Sequence, residues 1–226
     1  MSLRGLLPLL TARPEFRRLR ERLAPGEAAP LLTGVNEAAR PYLVAALASE
    51  LPHPILYVVR DNEHVPSTVE ALAALLGREV PVLPYLDRDA LPYERLMPDV
   101  ETVQTRMRAL TTLTRAPGAG VVVCSARALT QPILPPRELQ DALLELRPGL
   151  QLDPRLLLEH LLGLGYEPVA EVEEVGQVSH RGGIVDLFAP VLERPLRIEF
   201  WGDEIDSIRT FDPETQRSLN PQEAVL

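Results

Sequence analysis

Lysine is absent from this chain: all 23 basic residues among its 226 are arginine. That excludes a P-loop lysine, a Schiff-base lysine and a lysine general base. Cysteine occurs once, at Cys124, so an internal disulfide and a Cys-rich zinc site are excluded. His53, His64, His160 and His180 are scattered without metal-ligand spacing. No apolar run approaches the length of a membrane helix. The opening MSLRGLLPLL is broken by Pro8 and lacks the cleavage pattern of a signal peptide. A cytoplasmic protein with no membrane partner is expected. Aromatics are only 4% of residues, so Leu, Ala and Val must do most of the packing.

What is present supports a folded protein. Hydrophobic residues make up 46% of the chain and 23 prolines punctuate it. The length suits one large or two small domains. Net charge is −9, unevenly placed: residues 1–150 hold 17 acids and 17 arginines, whereas residues 151–226 hold 15 acids and 6 arginines. An acidic half does not bind a phosphate backbone unaided, so a protein partner is the expectation for it.

In the first half, apolar strands alternate with helices. Pro14 to Leu23 reads as a helix with Phe16, Leu19 and Leu23 on one side and arginines on the other. Its arginines offer charge to nucleic acid, but Glu15 and Glu21 dilute it, which favours an ordinary solvated face. Ala29 to Val35 reads as a buried strand, followed by a helix from Asn36 to about Leu51. Ile55 to Val59, Val80 to Leu83 and Gly120 to Cys124 read as further strands. Helices are expected from Asp61 or Asn62 to Leu76, closed by Gly77, and from Asp99 to Arg115. This rhythm predicts a parallel α/β domain.

The turn after the first expected strand can be tested against a phosphate loop, G-x-x-x-x-G-K-[ST]. Gly34 fills the first position, but Ala39, Arg40 and Pro41 stand where Gly, Lys and Ser or Thr are needed. Arg40 retains a charge for phosphate; the magnesium-binding hydroxyl is replaced by a ring. ATP hydrolysis is not expected here.

The Pro-rich segment around TQPILPP breaks the rhythm. Beyond it, Ala142 to Leu152 reads as two short strands around Pro148-Gly149, and Asp153-Pro154 starts a helix ending at Gly163 or Gly165. Tyr166 to Val178 reads as an acidic strand. Ser179 to Ser218 then shows period-two runs at Gly183–Phe188, Leu196–Trp201 and Ile205–Phe211, broken by Pro, Gly and Asp: an antiparallel meander. Alternation puts Leu196, Ile198 and Phe200 on a core face and Arg197, Glu199 and Trp201 on the other. Charge mixed with a large aromatic fits a docking face, but the residues alone favour a solvated sheet face, since surface Arg-Glu pairs are common. Asp203, Glu204 and Asp206 read as a solvated corner.

The pattern RGG-I-V-D-L-F-x-P, continued by P-L-R-I-E-F-W-G-D-E-I-D-S-I-R-T-F-D-P-E-T-Q-R-S, resembles the module shared by the excision-repair protein UvrB and the transcription-repair coupling factors (Mfd). The FDPETQRS variant and the degenerate turn at Gly34 and Arg40 are closer to the amino-terminal UvrB-like region of the coupling factors, and the segments LPYER and GVVVCSARAL resemble further parts of the family. The resemblance implies a degenerate RecA/P-loop-like parallel-sheet domain over residues 1–128. It implies a small α+β domain over 129–220 that binds the repair protein UvrA, with 221–226 starting a further segment. It matches partner-binding positions to Arg181, Arg197, Glu199 and Phe200, with Trp201 beside them. For Arg181 a cap or turn contact is the plain alternative, with the interface preferred on the resemblance, and Tyr93 and Glu94 read as surface residues. The implied role is a non-catalytic recruiter of UvrA, binding no cofactor or metal, within a larger ATP-driven DNA translocase that also meets RNA polymerase and double-stranded DNA. A UvrB-like ATPase fragment and an autoinhibitory scaffold are the alternatives.

Overall fold

A computed structural model describes residues 3–23, 30–88, 99–115, 118 and 120–225. The chain divides into two compact units, residues 1–133 and 134–226.

The first unit contains α1 (Leu7–Thr11), α2 (Pro14–Arg22), α3 (Arg40–Glu50), β1 (Pro54–Val59), α4 (His64–Leu76), β2 (Val82–Tyr85), α5 (Val100–Arg115), β3 (Gly120–Ser125) and α6 (Ala126–Leu129). Its three strands are parallel in the order β1-β3-β2. Central β3 is buried along its whole length, which explains its uninterrupted Val-Val-Val-Cys run. Val121 and Val123 face a core built with Ala45, Ala46, Leu72 and Leu76 of α3 and α4, and with Leu7 and Phe16 of α1 and α2. Val122 and Cys124 face Ala109, Leu110 and Leu113 of α5. Helices therefore cover both sheet faces, as the α/β rhythm requires.

A polar cluster joins the carboxyl ends of the strands. The nearly buried Asp87 carboxylate accepts from Arg127 Nε and Nη2, each at 2.9 Å, and from Ser125 Oγ at 3.0 Å. Ser125 Oγ also caps α6, accepting from the Ala128 N–H. Arg106, buried on α5, lies 4.2 Å over the Tyr85 ring and donates to Leu86 O and Gln131 Oε1.

The expected strand at Ala29 to Val35 is corrected over its described part: residues 30–35 form no strand, and Leu31 is 89% exposed. A strand needs a ladder partner for its backbone groups; among the described residues β1 pairs only with β3, and Pro30 lacks an N–H. An apolar run alone does not specify that pairing. The LPYER segment, with Tyr93 and Glu94, lies outside the described residues.

The second unit contains α7 (Pro136–Ala142), α8 (Pro154–Gly163), β4 (Glu167–Pro168), β5 (Gln177–Arg181), β6 (Ile184–Leu187), β7 (Leu196–Trp201), β8 (Glu204–Phe211) and β9 (Ser218–Pro221). The sheet order follows the chain from β4 to β9. All its pairings are antiparallel except β4–β5. Asp153 caps α8 by accepting from the Arg155 N–H at 2.7 Å, with Pro154 at the first turn. Leu157 and Leu161 of α8 pack on Val178, Val185, Leu187, Leu196, Ile198, Ile205 and Ile208. The two strands expected within Ala142 to Leu152 are replaced by the end of α7 and two isolated bridges, Leu146 to Val225 and Gln151 to Glu204. The long acidic strand expected at Tyr166 to Val178 is reduced to β4 and the start of β5. Between them the chain leaves the ladder, and Gln177 Oε1 accepts from the Glu173 and Glu174 N–H groups. A side chain there satisfies backbone donors that a strand would have paired.

Candidate protein-interaction face

The meander builds one sheet face opposite α8. Pairing puts Ser179, Asp186, Arg197 and Arg209 in one row, and Arg181, Ile184, Glu199 and Ser207 in the next. Directly opposed residues share a face, so both rows lie on the side away from the Ile198 core. Two tight hairpins fix this register. Gly182 (φ +62°) and Gly202 (φ +63°) each open a two-residue turn, between Arg181 and Ile184 and between Trp201 and Glu204. A glycine with positive φ at the first turn position is the form two-residue hairpins favour. Gly183 has a different constraint: a Cβ there would lie 2.9 Å from the Phe200 carbonyl oxygen. That carbonyl passes against Gly183, and the Phe200 N–H donates to Gly183 O at 2.7 Å.

One end of this face is closed. Asp186, 1% exposed, accepts a two-pronged pair from Arg197, Nε to Oδ1 and Nη2 to Oδ2, each at 2.8 Å. Arg197 also donates to Gln216 O and lies 4.8 Å over the Phe211 ring. Gln216, in a left-handed conformation (φ +58°), donates from Nε2 to Val172 O and Pro213 O. Phe211 and Val172 are fully buried there. The paired carboxylate holds the Arg197 guanidinium pKa above its usual value.

The other end is open. Trp201 is 84% exposed at the hairpin tip. Arg181 is 54% exposed, with one contact to Asp186 Oδ2 at 3.3 Å. Glu199 is half-buried and accepts from Ser207 Oγ at 2.7 Å. Phe200 points the other way and packs with the Ile198 core. Of the five positions singled out in sequence, Arg181, Glu199 and Trp201 thus lie toward one open end, Arg197 is committed to Asp186, and Phe200 belongs to the interior. Asp186 and Gln216 were not anticipated. The Asp186-to-Arg197 spacing gives no local signal; only the strand register brings them together. Asp203, Glu204 and Asp206 are exposed at the β7–β8 turn, where Glu204 accepts from Gln151. Among the described residues no group of His, Cys, Asp or Glu could hold a metal ion, and no helix is long and apolar enough to cross a membrane.

In the first unit, Gly34 adopts φ +76°, and Arg40 begins α3 with its guanidinium 4.0 Å from the Glu37 carboxylate. Arg40, Glu37, Tyr57, Arg60, His64 and Ser67 line one shallow hollow. An acid stands beside each arginine there: Glu37 by Arg40 and Asp61 by Arg60.

Comparison with known proteins assigns the class first. Residues 144–226 match the UvrB interaction domain family, which covers the whole sheet just described. The chain as a whole is 36% identical over 221 residues to the transcription-repair-coupling factors of Mycobacterium bovis and Mycobacterium tuberculosis, across 95% of its own length. It is 34% identical over 192 residues to that of Myxococcus xanthus. The chain spans about 17% of the length of the mycobacterial relatives. It corresponds to a region of a transcription-repair-coupling factor and carries that protein's UvrB interaction domain.

Proposed function

We propose that this chain is the UvrA-recruiting module of its parent protein, linking RNA polymerase stalled on damaged DNA to excision repair without catalysis of its own. The supporting observation is the exposed Trp201 and the accessible Arg181 guanidinium, both toward the hairpin end of one sheet face. Tryptophan and arginine are the residue types that carry most of the energy of protein interfaces. Arg181 has donors to spare for a partner carboxylate. Arg197 serves this reading as a positioning residue: held by Asp186 and Phe211, it fixes the strand that presents Trp201.

A non-catalytic role is supported by Arg40 and Pro41 standing where a phosphate loop has Lys and a hydroxyl residue, and by the lack of any lysine. DNA translocation and contact with RNA polymerase belong, in this reading, to the rest of the longer parent.

Titration calorimetry of the chain against purified UvrA tests the proposal. Saturable binding, weakened at least tenfold by Trp201→Ala with circular dichroism unchanged, is expected; about 2 kcal/mol is typical of a central aromatic anchor. Absence of binding by the folded wild-type chain overturns the proposal.

A further inference from the structure

Charge is segregated in this chain beyond the acidity of its second half. Residues 4–22 hold six arginines and two acids; the rest of residues 1–133 hold nine arginines and twelve acids. Residues 134–226 hold eight arginines and 18 acids. One short helical segment is therefore the strongly positive part of an acidic protein.

The structure shows how that charge is displayed. Helix α2 buries Phe16 and Leu19, which locks its opposite face outward. Arg20 pairs with Glu50 at 2.8 Å and Arg4 with Glu79. Arg13, Arg17, Arg18 and Arg22 are exposed, and among the described residues none of the four forms an ion pair. Glu15 and Glu21 dilute that charge, and residues 4–22 still hold six arginines against two acids. Arg13 and Arg17, and Arg18 and Arg22, are each four residues apart, so within each pair the side chains stand about 6 Å apart, and Glu21 lies between the two pairs. The helix extends them over about 13 Å.

We propose that the α2 arginine face docks on the phosphate backbone of a nucleic acid. A protein partner would need an apolar or aromatic anchor at the centre of its contact. Between Arg13 and Arg22 the outward residues are arginines, Glu15, Glu21 and Pro14, so this helix face itself offers no apolar anchor. A phosphate backbone needs only forked donors and positive charge. Side chains with no base-reading framework around them position a duplex without selecting sequence.

The test is fluorescence anisotropy of the intact chain with a labelled 20-base-pair DNA duplex and, separately, an RNA duplex of equal length, at 50 to 200 mM salt. Four phosphate contacts predict a slope of log affinity on log salt of about −3.6 for DNA. Arg17→Glu/Arg18→Glu should weaken binding at least tenfold and reduce the slope by about half. Arg137→Glu/Arg155→Glu, an equal charge change in the second unit, should have a much smaller effect. Binding of either duplex with this pattern supports the proposal, and the two arms identify which duplex is preferred. No binding at 50 mM salt, or equal losses in both double variants, overturns it. Capture by phosphatidylserine vesicles in place of either duplex also overturns it.

Discussion

Asp186 is nearly buried between two arginines of unequal commitment. Arg197, 16% exposed, grips both oxygens, whereas Arg181 reaches one oxygen from a largely open position. Removing one member of a buried pair strands the other charge, at a cost of about 3–5 kcal/mol. Asp186→Ala and Arg197→Ala should therefore lower the urea midpoint sharply, while Arg181→Ala should change stability by less than about 1 kcal/mol. Equal effects of the two arginine substitutions would contradict this division. The alternation in Leu196 to Trp201 was enough to separate Arg197, Glu199 and Trp201 from Leu196, Ile198 and Phe200. It could not tell a committed arginine from an available one, because that depends on a carboxylate eleven residues earlier in the chain.

Asp87 allows a pH prediction at the same scale. Hydrogen bonds from Arg127, and next from Ser125, hold its carboxyl below the usual range against the opposing effect of burial. A depressed folded-state value means that the stabilisation is present above about pH 4, the ordinary carboxyl value, and is lost as pH falls through the depressed value. Asp87→Asn should cost about 1–3 kcal/mol at pH 7, and its difference from wild type should shrink at pH 3 in urea unfolding. A difference that grows on acidification would contradict the assignment.

At the scale of elements, the β5–β6 and β7–β8 hairpins determine where Trp201 stands. Both are tight turns opened by glycine, and the second strand of one packs its backbone against the end of the other at Gly183. A methyl group at Gly183 would meet the Phe200 carbonyl, which is backbone and cannot swing aside. Gly183→Ala is expected to cost about 1–3 kcal/mol by overpacking and to disturb amide resonances around Phe200 and Trp201. An unchanged spectrum would show that the strands have room to separate. Strands with a strict period and Gly-marked turns were legible from sequence, as were β3, helices α2, α4, α5 and α8, the Gly77 end of α4 and the Asp153 start of α8. Legibility failed where an apolar or alternating run had no ladder partner. Pro30 to Val35 lacks a neighbouring strand, and Val169 to Gly176 leaves the sheet to close one end of the outer face.

For the whole molecule, each unit has its own hydrophobic core, one centred on β3 and one on β7. Residues 134–226 expressed alone should therefore unfold cooperatively in urea and retain the strand signal of the full chain. A molten, non-cooperative product would contradict an independent second core. The same division separates the charge: an acidic unit carrying the indole, and a near-neutral unit carrying the arginine helix.

The most direct test of the central claim is hydrogen exchange of the chain with and without saturating UvrA. The account predicts protection concentrated at residues 181–184 and 199–204, around Arg181 and Trp201, with α8 unchanged. Protection confined to the first unit or to the α8 side would contradict it.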